Sequence, residues 1–307
     1  YAASRKLRAE LRQRPADILH SHSEFADMAL LPLAGQTTKW VRTIHNGYRV
    51  EWRKHPLRRL LLTNLLYPLL FHREIAINRG IAGTLDRRPV ARLLGKKAAV
   101  IPNGIDLNRF REPVEDPGQT REDLHIPERA FVIGSAGRLA EGKGLEILLR
   151  AGARLVQEEL PVVLLLIGDG ELRPNLENLA RELKIEDRVI FTGPRADIDR
   201  LYACMDLFAS GSYWEGISTV VLESMAAGIP VVATAIPGHQ EILVDGVHGW
   251  LVPAGEPGLL ADAIRFAFNQ PYERKTRAQN ARVRVQDFAI ENIVVRHEDL
   301  YQAVAIH

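Results

Sequence analysis

The sequence contains one cysteine, Cys204, and no apolar run long enough to cross a membrane. A single cysteine cannot form an internal disulfide, which fits a reducing compartment. Cys204 stands in the apolar stretch LYACMDLFAS, so we interpret it as a core residue rather than a nucleophile. A membrane helix needs about 18 consecutive apolar residues, and the nearest candidate, 59–71, is interrupted by Thr63, Asn64 and Pro68. We therefore expect a cytoplasmic protein.

Aromatic residues are also few, at 7% of the chain, and we find no nucleic-acid-binding motif. We therefore expect no nucleic-acid partner. The charges are unevenly divided: residues 1–110 carry 20 Lys and Arg against 8 Asp and Glu, a formal charge of +12, whereas the remaining residues carry 20 against 30, a charge of −10. This asymmetry predicts two units with different partners, and the basic half favours an anionic membrane surface at the inner face of a membrane.

One segment of the basic half, residues 53–73, mixes cations with leucines in the order RKHPLRRLLLTNLLYPLLFHR. Such a segment is typical of an interfacial helix that lies on anionic lipid. It is also typical of an ordinary solvated helix of the first domain with a wide core face, and the second interpretation is slightly favoured. The sequence leaves these two interpretations open.

Strands and helices alternate along the chain, which predicts an α/β fold with parallel sheets. The predicted strands are Ile18–Ser21, Val41–His45, Ala99–Ile101, Phe131–Ala136, Val162–Ile167, Val189–Thr192, Leu207–Ala209 and Val231–Thr234. The predicted helices include Tyr1–Arg14, Leu145–Leu155, Leu172–Leu183, Ile198–Ala203 and Ile290–Ala305.

Gly-rich polar turns follow four strands of the second half, with the sequences GRLAEGKG, GDGE, TGPRAD and GSYWEG. Ligands of parallel α/β sheets bind at the carboxyl ends of the strands. The four turns should therefore open onto one crevice.

The first of these turns, Gly137–Gly144, follows a strand and opens a helix, whose N-terminus can bind phosphate. Arg138 and Lys143 add two cations where a diphosphate would lie. The spacing nearly matches the phosphate loop G-x-x-x-x-G-K-[ST], but Gly144 stands where that motif has a hydroxyl. Asp169 would supply a magnesium carboxylate, so a nucleotide triphosphatase and a simple solvated turn both remain open.

Two glutamates, Glu215 and Glu223, are separated by seven residues in SYWEGISTVVLESMAAGIPVVAT. We predict a short helix between them that ends before Gly228, which would set the two carboxylates about 12 Å apart. Carboxylates accept paired hydroxyl hydrogen bonds, so the pair would hold a polyol at both ends. The alternative is a surface helix with two solvated glutamates.

Three histidines, His20, His22 and His45, lie at or just after the ends of strands in the basic half. A histidine in this position can bind a hydroxyl or a phosphate, although structural histidines are commoner. Too few ligands converge for a metal, so we expect no metal site.

Taken together, these segments resemble the retaining glycosyltransferases of family 4, which have the B-type (GT-B) fold of two facing Rossmann-like domains. The similar segments appear in the family's order along nearly the whole chain. They are ADILHSHS, TIHN, IPNGIDLNRF, GRLAEGKG, YWEGISTVVLESMAAGIPVVAT and DGVHGWLVP. The resemblance implies a first domain over 1–112, a linker over 113–128, a donor domain over 129–286 and a C-terminal helix, 287–307, that returns to the first domain.

The resemblance also implies an enzyme of the hexosyltransferase type that moves a sugar from a UDP- or GDP-sugar to a glycan or lipid-linked saccharide. The anomeric configuration would be retained, without a metal or cofactor. Catalysis would involve Glu215, His22, Arg138 and Lys143, with the two cations on the diphosphate and His22 approaching the sugar from the opposite domain. Glu223 would bind the ribose. The other implied donor-binding residues are Gly193, Arg195, Gly216, Ile217, Ser218 and Thr219.

One departure from the family concerns the beginning of the chain. Family members start with a strand and a Gly-rich loop, which do not precede Tyr1 here. We therefore expect an incomplete first domain, and a sequence cut from a longer protein is the favoured explanation. A fragment that needs a partner chain is another. The alternative function is a non-catalytic protein of the same fold that binds nucleotide sugars or acts as a scaffold.

Overall fold

A computed structural model describes residues 2–35, 38–45, 60–110 and 117–306 of the chain. The chain divides into two compact units, one formed by Tyr1–Asn103 with Glu291–His307 and the other by Gly104–Ile290. Each unit is built on a parallel sheet, which confirms the predicted fold class.

The first unit contains a four-stranded parallel sheet in the order β1-β2-β3-β4. Its strands are β1 (Ile18–Ser21), β2 (Lys39–Ile44), β3 (Arg73–Ala76) and β4 (Ala99–Val100). Strand β1 has the predicted bounds, whereas β2 begins two residues before the prediction and ends before His45. Strand β3 was not predicted.

The helices of the first unit surround this sheet. They are α1 (Ala2–Gln13), α2 (Glu24–Leu30), a π-helical turn (Leu62–Leu66) that continues as α3 (Tyr67–Leu70), α4 (Arg79–Asp86) and α5 (Pro89–Leu93). A 3₁₀ turn, Leu31–Leu33, follows α2. The C-terminal helix, Ile290–Ile306, contributes Ile293 and Val304 to a core that also contains Val41, Ile75 and Ile101.

The second unit contains a six-stranded parallel sheet in the order β10-β9-β8-β5-β6-β7. Its strands are β5 (Phe131–Ala136), β6 (Val162–Ile167), β7 (Val189–Gly193), β8 (Leu207–Ser210), β9 (Val231–Thr234) and β10 (Trp250–Val252). Its helices are α6 (Pro117–Asp123), α7 (Leu145–Gln157), α8 (Arg173–Glu182), α9 (Ile198–Ala203), α10 (Thr219–Ala226), α11 (Pro237–Ile242), α12 (Pro257–Asn269) and α13 (Pro271–Arg284). Three 3₁₀ turns complete it: Leu107–Phe110, Glu186–Arg188 and Val285–Phe288.

The centre of the second sheet is covered on both faces. All six residues of β6, VVLLLI, are buried, as expected of a parallel strand between two helical layers. Helix α7 packs against the sheet through Leu148 and Leu149, both fully buried. This layer holds the carboxyl ends of β5, β6 and β8 in fixed positions.

The structure adds detail to two segments of the sequence analysis. The predicted linker, 113–128, includes helix α6, whose Arg121 donates hydrogen bonds to the Cys204 carbonyl within the second unit. The segment 53–73 is not one continuous helix, because α3 ends at Leu70 and β3 begins at Arg73. Its residues 53–59 lie outside the described part of the chain. Within the described ranges, no helix combines the length and apolarity that a bilayer span requires.

We predict that Leu148→Ala lowers the free energy of unfolding of the second unit by about 2–5 kcal/mol, because it leaves a cavity in the covered core. Urea denaturation followed by circular dichroism measures this loss. Leu259→Ala, on the exposed side of α12, is the matched control and should change the free energy by no more than about 0.5 kcal/mol. Equal losses in the two variants would contradict this description of the core.

Candidate functional site: a pocket at the carboxyl edge of the second sheet

The loops after two strands of the second unit, β5 and β8, meet in one pocket at the carboxyl edge of its sheet. The loop after β5 supplies Gly137, Arg138 and Lys143, and the loop after β8 supplies Ser212 and Glu215. The floor consists of strand ends, with Ser135, Ala136, Ile167 and Ser210 among the lining residues. The convergence expected of Arg138, Lys143 and Glu215 is therefore present in the geometry.

A backbone contact between two glycines joins these loops. Gly144, the residue before α7, has a φ of +59°, and a Cβ there would lie 1.9 Å from the Gly211 carbonyl oxygen. A side chain is thus excluded twice, by conformation and by space. This explains why the chain has glycine where the phosphate loop has a hydroxyl. The Ile147 and Leu148 amides donate to the Gly144 carbonyl, so among the described residues the Leu145 and Glu146 amides at the start of α7 remain available to an anion.

Lys143 and Glu215 form an ion pair inside the pocket. The Lys143 Nζ donates to Glu215 Oε1 over 2.7 Å, and the Ser212 hydroxyl donates to the same oxygen over 3.1 Å. The Glu215 side chain is 12% exposed, so both charges are held in place by charge-assisted hydrogen bonds. The pocket thereby presents a cation and a carboxylate side by side.

The helix predicted between Glu215 and Glu223 begins later than expected. Glu215 lies in a loop, and α10 begins only at Thr219. Glu223 lies on α10 and is not among the pocket-lining residues; it accepts a hydrogen bond of 3.0 Å from the Tyr202 hydroxyl. Burial raises the pKa of Glu223, and the hydrogen bond from Tyr202 and the charge of Arg109 oppose that rise. The two carboxylates therefore occupy different surroundings.

A buried histidine that the sequence did not indicate lies under the Glu215 loop. His239 is fully buried, its Nδ1 lies 2.8 Å from the Thr234 carbonyl oxygen and its Nε2 lies 3.5 Å from the Ser210 hydroxyl. Because a carbonyl can only accept, Nδ1 carries the proton. Burial lowers the pKa of His239, which keeps the ring neutral.

The residue before this histidine supports the loop directly. A Cβ on Gly238 would lie 2.6 Å from the Glu215 carbonyl oxygen and 2.7 Å from that of Gly216. Ser210 links His239 to the Glu215 loop, because its hydroxyl donates to the Ser212 hydroxyl over 3.3 Å. In the sequence, only the tripeptide PGH after β9 marks this contact, and such a tripeptide is common at helix starts.

Two further predicted donor-binding residues, Gly193 and Arg195, are not among the lining residues of the pocket and have partners of their own. Arg195 forms a bidentate pair with Asp197 at 2.7 and 2.6 Å, and its hydrogen bonds lower the pKa of Asp197 to about 2. Gly193 accepts a hydrogen bond from the Gly168 amide. Arg138 is largely exposed and lies 4.0 Å from Glu171.

The start of α10 lies next to Glu215 in the chain. Ile217 and Ser218 are buried, and the Ser218 side chain, directly before the helix, makes no capping hydrogen bond. Thr219 is the first residue of the helix. Gly216 comes between Glu215 and this turn. The predicted donor-binding residues 216–219 thus form the turn into α10 that directly follows Glu215.

Asp169, the proposed magnesium carboxylate, is otherwise engaged. One of its oxygens accepts from the Gly170 amide at 2.8 Å and the other lies 3.4 Å from Arg173. Among the described residues there is no group of three or more His, Cys, Asp or Glu side chains arranged to hold a metal ion. The geometry gives no support to the triphosphatase alternative.

The histidines of the first unit form a cluster at the carboxyl edge of its sheet. His20 lies 2.6 Å from the Tyr301 hydroxyl and 2.8 Å from that of Thr43, and its ring lies 4.2 Å from the ring of His22. The His22 Nδ1 lies 3.1 Å from the His45 Nε2. Burial, together with the neighbouring histidines, lowers the pKa of His20 to about 4.

Two family descriptions cover most of the chain. Residues 118–284 match the family Glycosyl transferases group 1, and residues 1–109 match Glycosyltransferase Family 4. The first match spans more than half of the 307 residues. The chain therefore belongs to the group 1 glycosyl transferases, which confirms the resemblance.

Individual proteins agree with this membership. The chain is 34% identical over 218 residues to the D-inositol 3-phosphate glycosyltransferase of Corynebacterium urealyticum, which covers 68% of this chain and 51% of that protein. It is 41% identical over 144 residues to the lipopolysaccharide core biosynthesis glycosyltransferase LpsE of Rhizobium meliloti, covering 47% of this chain and 41% of that one. The chain spans about half the length of these curated relatives.

Solved structures share the fold. The structure of Anabaena Alr3699/HepE in complex with UDP and glucose has a TM-score of 0.84 and 25% identity, and the match covers 98% of this chain and 81% of that one. Sucrose-phosphate synthase from Thermosynechococcus elongatus has a TM-score of 0.85 and 25% identity over 98% and 77%. These matches confirm the expected GT-B class of two parallel-sheet α/β domains.

We predict that Gly144→Ala disrupts the pocket, because its Cβ meets the Gly211 carbonyl in a left-handed backbone. The free energy of unfolding should fall by about 2 kcal/mol or more, as strain at such positions costs. Gly83→Ala is the control: Gly83 lies in α4 with nothing within 4 Å of its Cβ position, so that variant should be neutral or slightly stabilised. A Gly144→Ala variant as stable as wild type would contradict the proposed contact.

The pKa of His20 predicts how stability depends on pH. Because the folded pKa of about 4 lies below the unfolded value of 6.5, the unfolded state binds more protons between these limits. The contribution of His20 is complete above pH 6.5 and is lost as the pH falls towards 4. In urea denaturation at pH 7.5 and 5.0, His20→Gln should show a smaller difference than wild type, whereas exposed His125→Asn should not. Equal differences in wild type and His20→Gln would reject this assignment.

Proposed function

We propose that the protein is a glycosyltransferase that moves a sugar from a nucleoside diphosphate sugar to an acceptor hydroxyl. The observation that carries the proposal is the Lys143–Glu215 pair, held at 2.7 Å in a pocket between a glycine loop and a helix start. Such a pocket offers a cation for phosphate and a carboxylate for sugar hydroxyls. Membership of the group 1 family supports it.

The diphosphate would bind at the loop 137–144. Lys143 and Arg138 would neutralise its charge, and the Leu145 and Glu146 amides at the start of α7 would donate hydrogen bonds. We favour UDP over GDP as the nucleotide, because HepE has been solved with UDP and with UDP-glucose. Binding of the departing diphosphate by two cations would lower the barrier to its departure.

The sugar and ribose would be held by the two glutamates. Glu215, with backbone groups of residues 216–219, would accept from sugar hydroxyls at the reacting end. Glu223, oriented by the Tyr202 hydroxyl, would accept from the ribose. Gly193 and Arg195 would complete the donor set at the end of β7. These roles follow the family resemblance, and the common pocket of Lys143 and Glu215 supports them.

We propose that the transfer retains the anomeric configuration and needs neither a resident metal nor a cofactor. The bond from the anomeric carbon to the phosphate oxygen breaks, and the acceptor oxygen forms its bond on the same face. The acceptor proton passes to the departing phosphate oxygen, so charge and atoms balance. Lys143 and Arg138 supply the positive charge that a metal would otherwise provide. His22 is proposed as the sugar-contacting group of the first unit, as the resemblance implies.

The acceptor is proposed to be a glycan or a lipid-linked saccharide at the inner face of a membrane, in the cytoplasm. The name of LpsE, a lipopolysaccharide core enzyme, and the basic charge of residues 1–110 support this class. The second candidate function, binding of nucleotide sugars without turnover, requires the same pocket and differs only in the absence of product.

A thermal-shift screen against UDP, GDP, UDP-glucose and GDP-mannose tests the donor. We expect UDP and a UDP-sugar to raise the melting temperature, because a ligand that binds only the folded state stabilises it by mass action. Release of UDP in the presence of saccharide acceptors then separates transfer from binding alone. No shift with any nucleotide would reject the proposed site.

We predict different defects in two variants. Lys143→Met should weaken binding of UDP by about tenfold or more, because a charge-assisted contact to the diphosphate is lost. Glu215→Gln should change UDP affinity by less than about threefold but lower turnover by about a hundredfold, since its partner is the sugar, which UDP lacks. Calorimetry and a UDP-release assay measure the two quantities.

Glu182→Gln, at the exposed last residue of α8, is the control and should change neither quantity. Wild-type UDP affinity in Lys143→Met, or wild-type turnover in Glu215→Gln, would remove the proposed roles. Product stereochemistry by NMR tests retention, and activity after extensive treatment with EDTA tests independence of metal. An inverted product would discard the same-face step and leave the pocket assignment intact.

A further inference from the structure

An exposed face of the first unit consists of leucines. Leu61, Leu65 and Leu69 are spaced four residues apart along the helical segment that ends in α3, and they are exposed by 53, 40 and 51%. Residues at this spacing lie on one side of a helix. Water is therefore in contact with a continuous apolar stripe, which is a costly arrangement for a surface without a partner.

The opposite side of the segment is anchored, so the stripe cannot be buried by a small rotation. Leu62, Thr63 and Tyr67 are buried. The buried Arg88 guanidinium donates to the Thr63 carbonyl over 3.0 Å. The Lys96 ammonium donates to the carbonyl groups of Pro68 and Phe71 over 2.8 and 2.9 Å, which fixes the end of α3.

The adjoining helix α5 carries further exposed leucines. It packs beside the π-helical turn and α3, and it is followed by two further exposed leucines, Leu93 at its last position and Leu94 directly after it. We name the set Leu61, Leu65, Leu69, Leu93 and Leu94 the leucine patch. Leu93 is 85% exposed, the highest value of the five.

Cations without carboxylate partners accompany the leucine patch. Arg73, Arg87, Arg92 and Lys97 are exposed, and no ion pair joins them to an acid within the described residues. The two acids between residues 60 and 97 are engaged elsewhere, because Glu74 pairs with buried Arg88 and Asp86 accepts from the Ala98 amide.

We propose that the leucine patch with its cations is a docking surface for an anionic lipid bilayer. The leucines would enter the boundary between headgroups and acyl chains, and the arginines and lysines would meet lipid phosphates. Leucine with lysine and arginine is the composition of interfacial helices, whereas protein interfaces are enriched in aromatic residues and depleted of lysine. This surface gives the proposed membrane partner a defined location and does not depend on the donor pocket.

Sedimentation with vesicles tests the surface. Wild-type protein should bind vesicles of phosphatidylglycerol and phosphatidylcholine at low salt and should bind pure phosphatidylcholine far less. The double variant Leu65→Ser/Leu69→Ser should lower the partition coefficient by about tenfold or more, because two leucines that would enter the bilayer are lost. The matched control is Leu259→Ser/Val283→Ser, which removes two exposed apolar side chains from the second unit and should bind as wild type.

The cations are tested by Arg92→Gln/Lys97→Gln, which should lower binding to anionic vesicles and reduce its dependence on salt. Circular dichroism and UDP binding check that the variants fold and that the second unit is intact, so loss of vesicle binding with normal UDP binding isolates this surface. Failure of wild type to bind anionic vesicles, or undiminished binding by Leu65→Ser/Leu69→Ser, would overturn the proposal. Self-association of wild type that the same serines abolish would overturn it in favour of a second copy of the chain.

Discussion

The close backbone approach of Gly144 to Gly211 is the constraint on which the candidate site depends. It sets the loop after β5 against the exit of β8, two elements that are 67 residues apart in the chain. Only because these backbones nearly touch can the Lys143 ammonium reach the Glu215 carboxylate. A charge pair of this kind is pre-organised, so the cost of bringing its members together has already been met in folding.

The pocket also illustrates that net charge and local charge are separate properties. The second part of the chain carries a formal charge of −10, yet the site proposed for an anionic diphosphate lies there. A helix start and one or two placed cations act over a few ångströms, whereas distant carboxylates are screened by solvent. The basic first unit, with its leucine patch, is suited to a partner with an extended anionic surface.

The sequence patterns predicted the bounds of the buried central strands correctly but missed a strand that contains charged residues. Strands β5, β6 and β9 have their predicted bounds, because continuous apolar runs between glycine and polar turns have few alternatives in a parallel sheet. Strand β3 was not predicted, because it begins with two charged residues, Arg73 and Glu74. Glu74 is nevertheless buried, since buried Arg88 forms an ion pair with it. The short strand β10 gave no periodic signal of its own.

By itself, the sequence indicated the family of the protein and singled out Lys143 and Glu215 as candidate site residues, because both stand in turns whose order along the chain is local information. Tertiary structure decided the rest. It placed Glu215 in a loop ahead of α10, set buried His239 beneath it, and left the leucine patch facing water. These features depend on contacts between residues far apart in the chain, which no window of sequence contains.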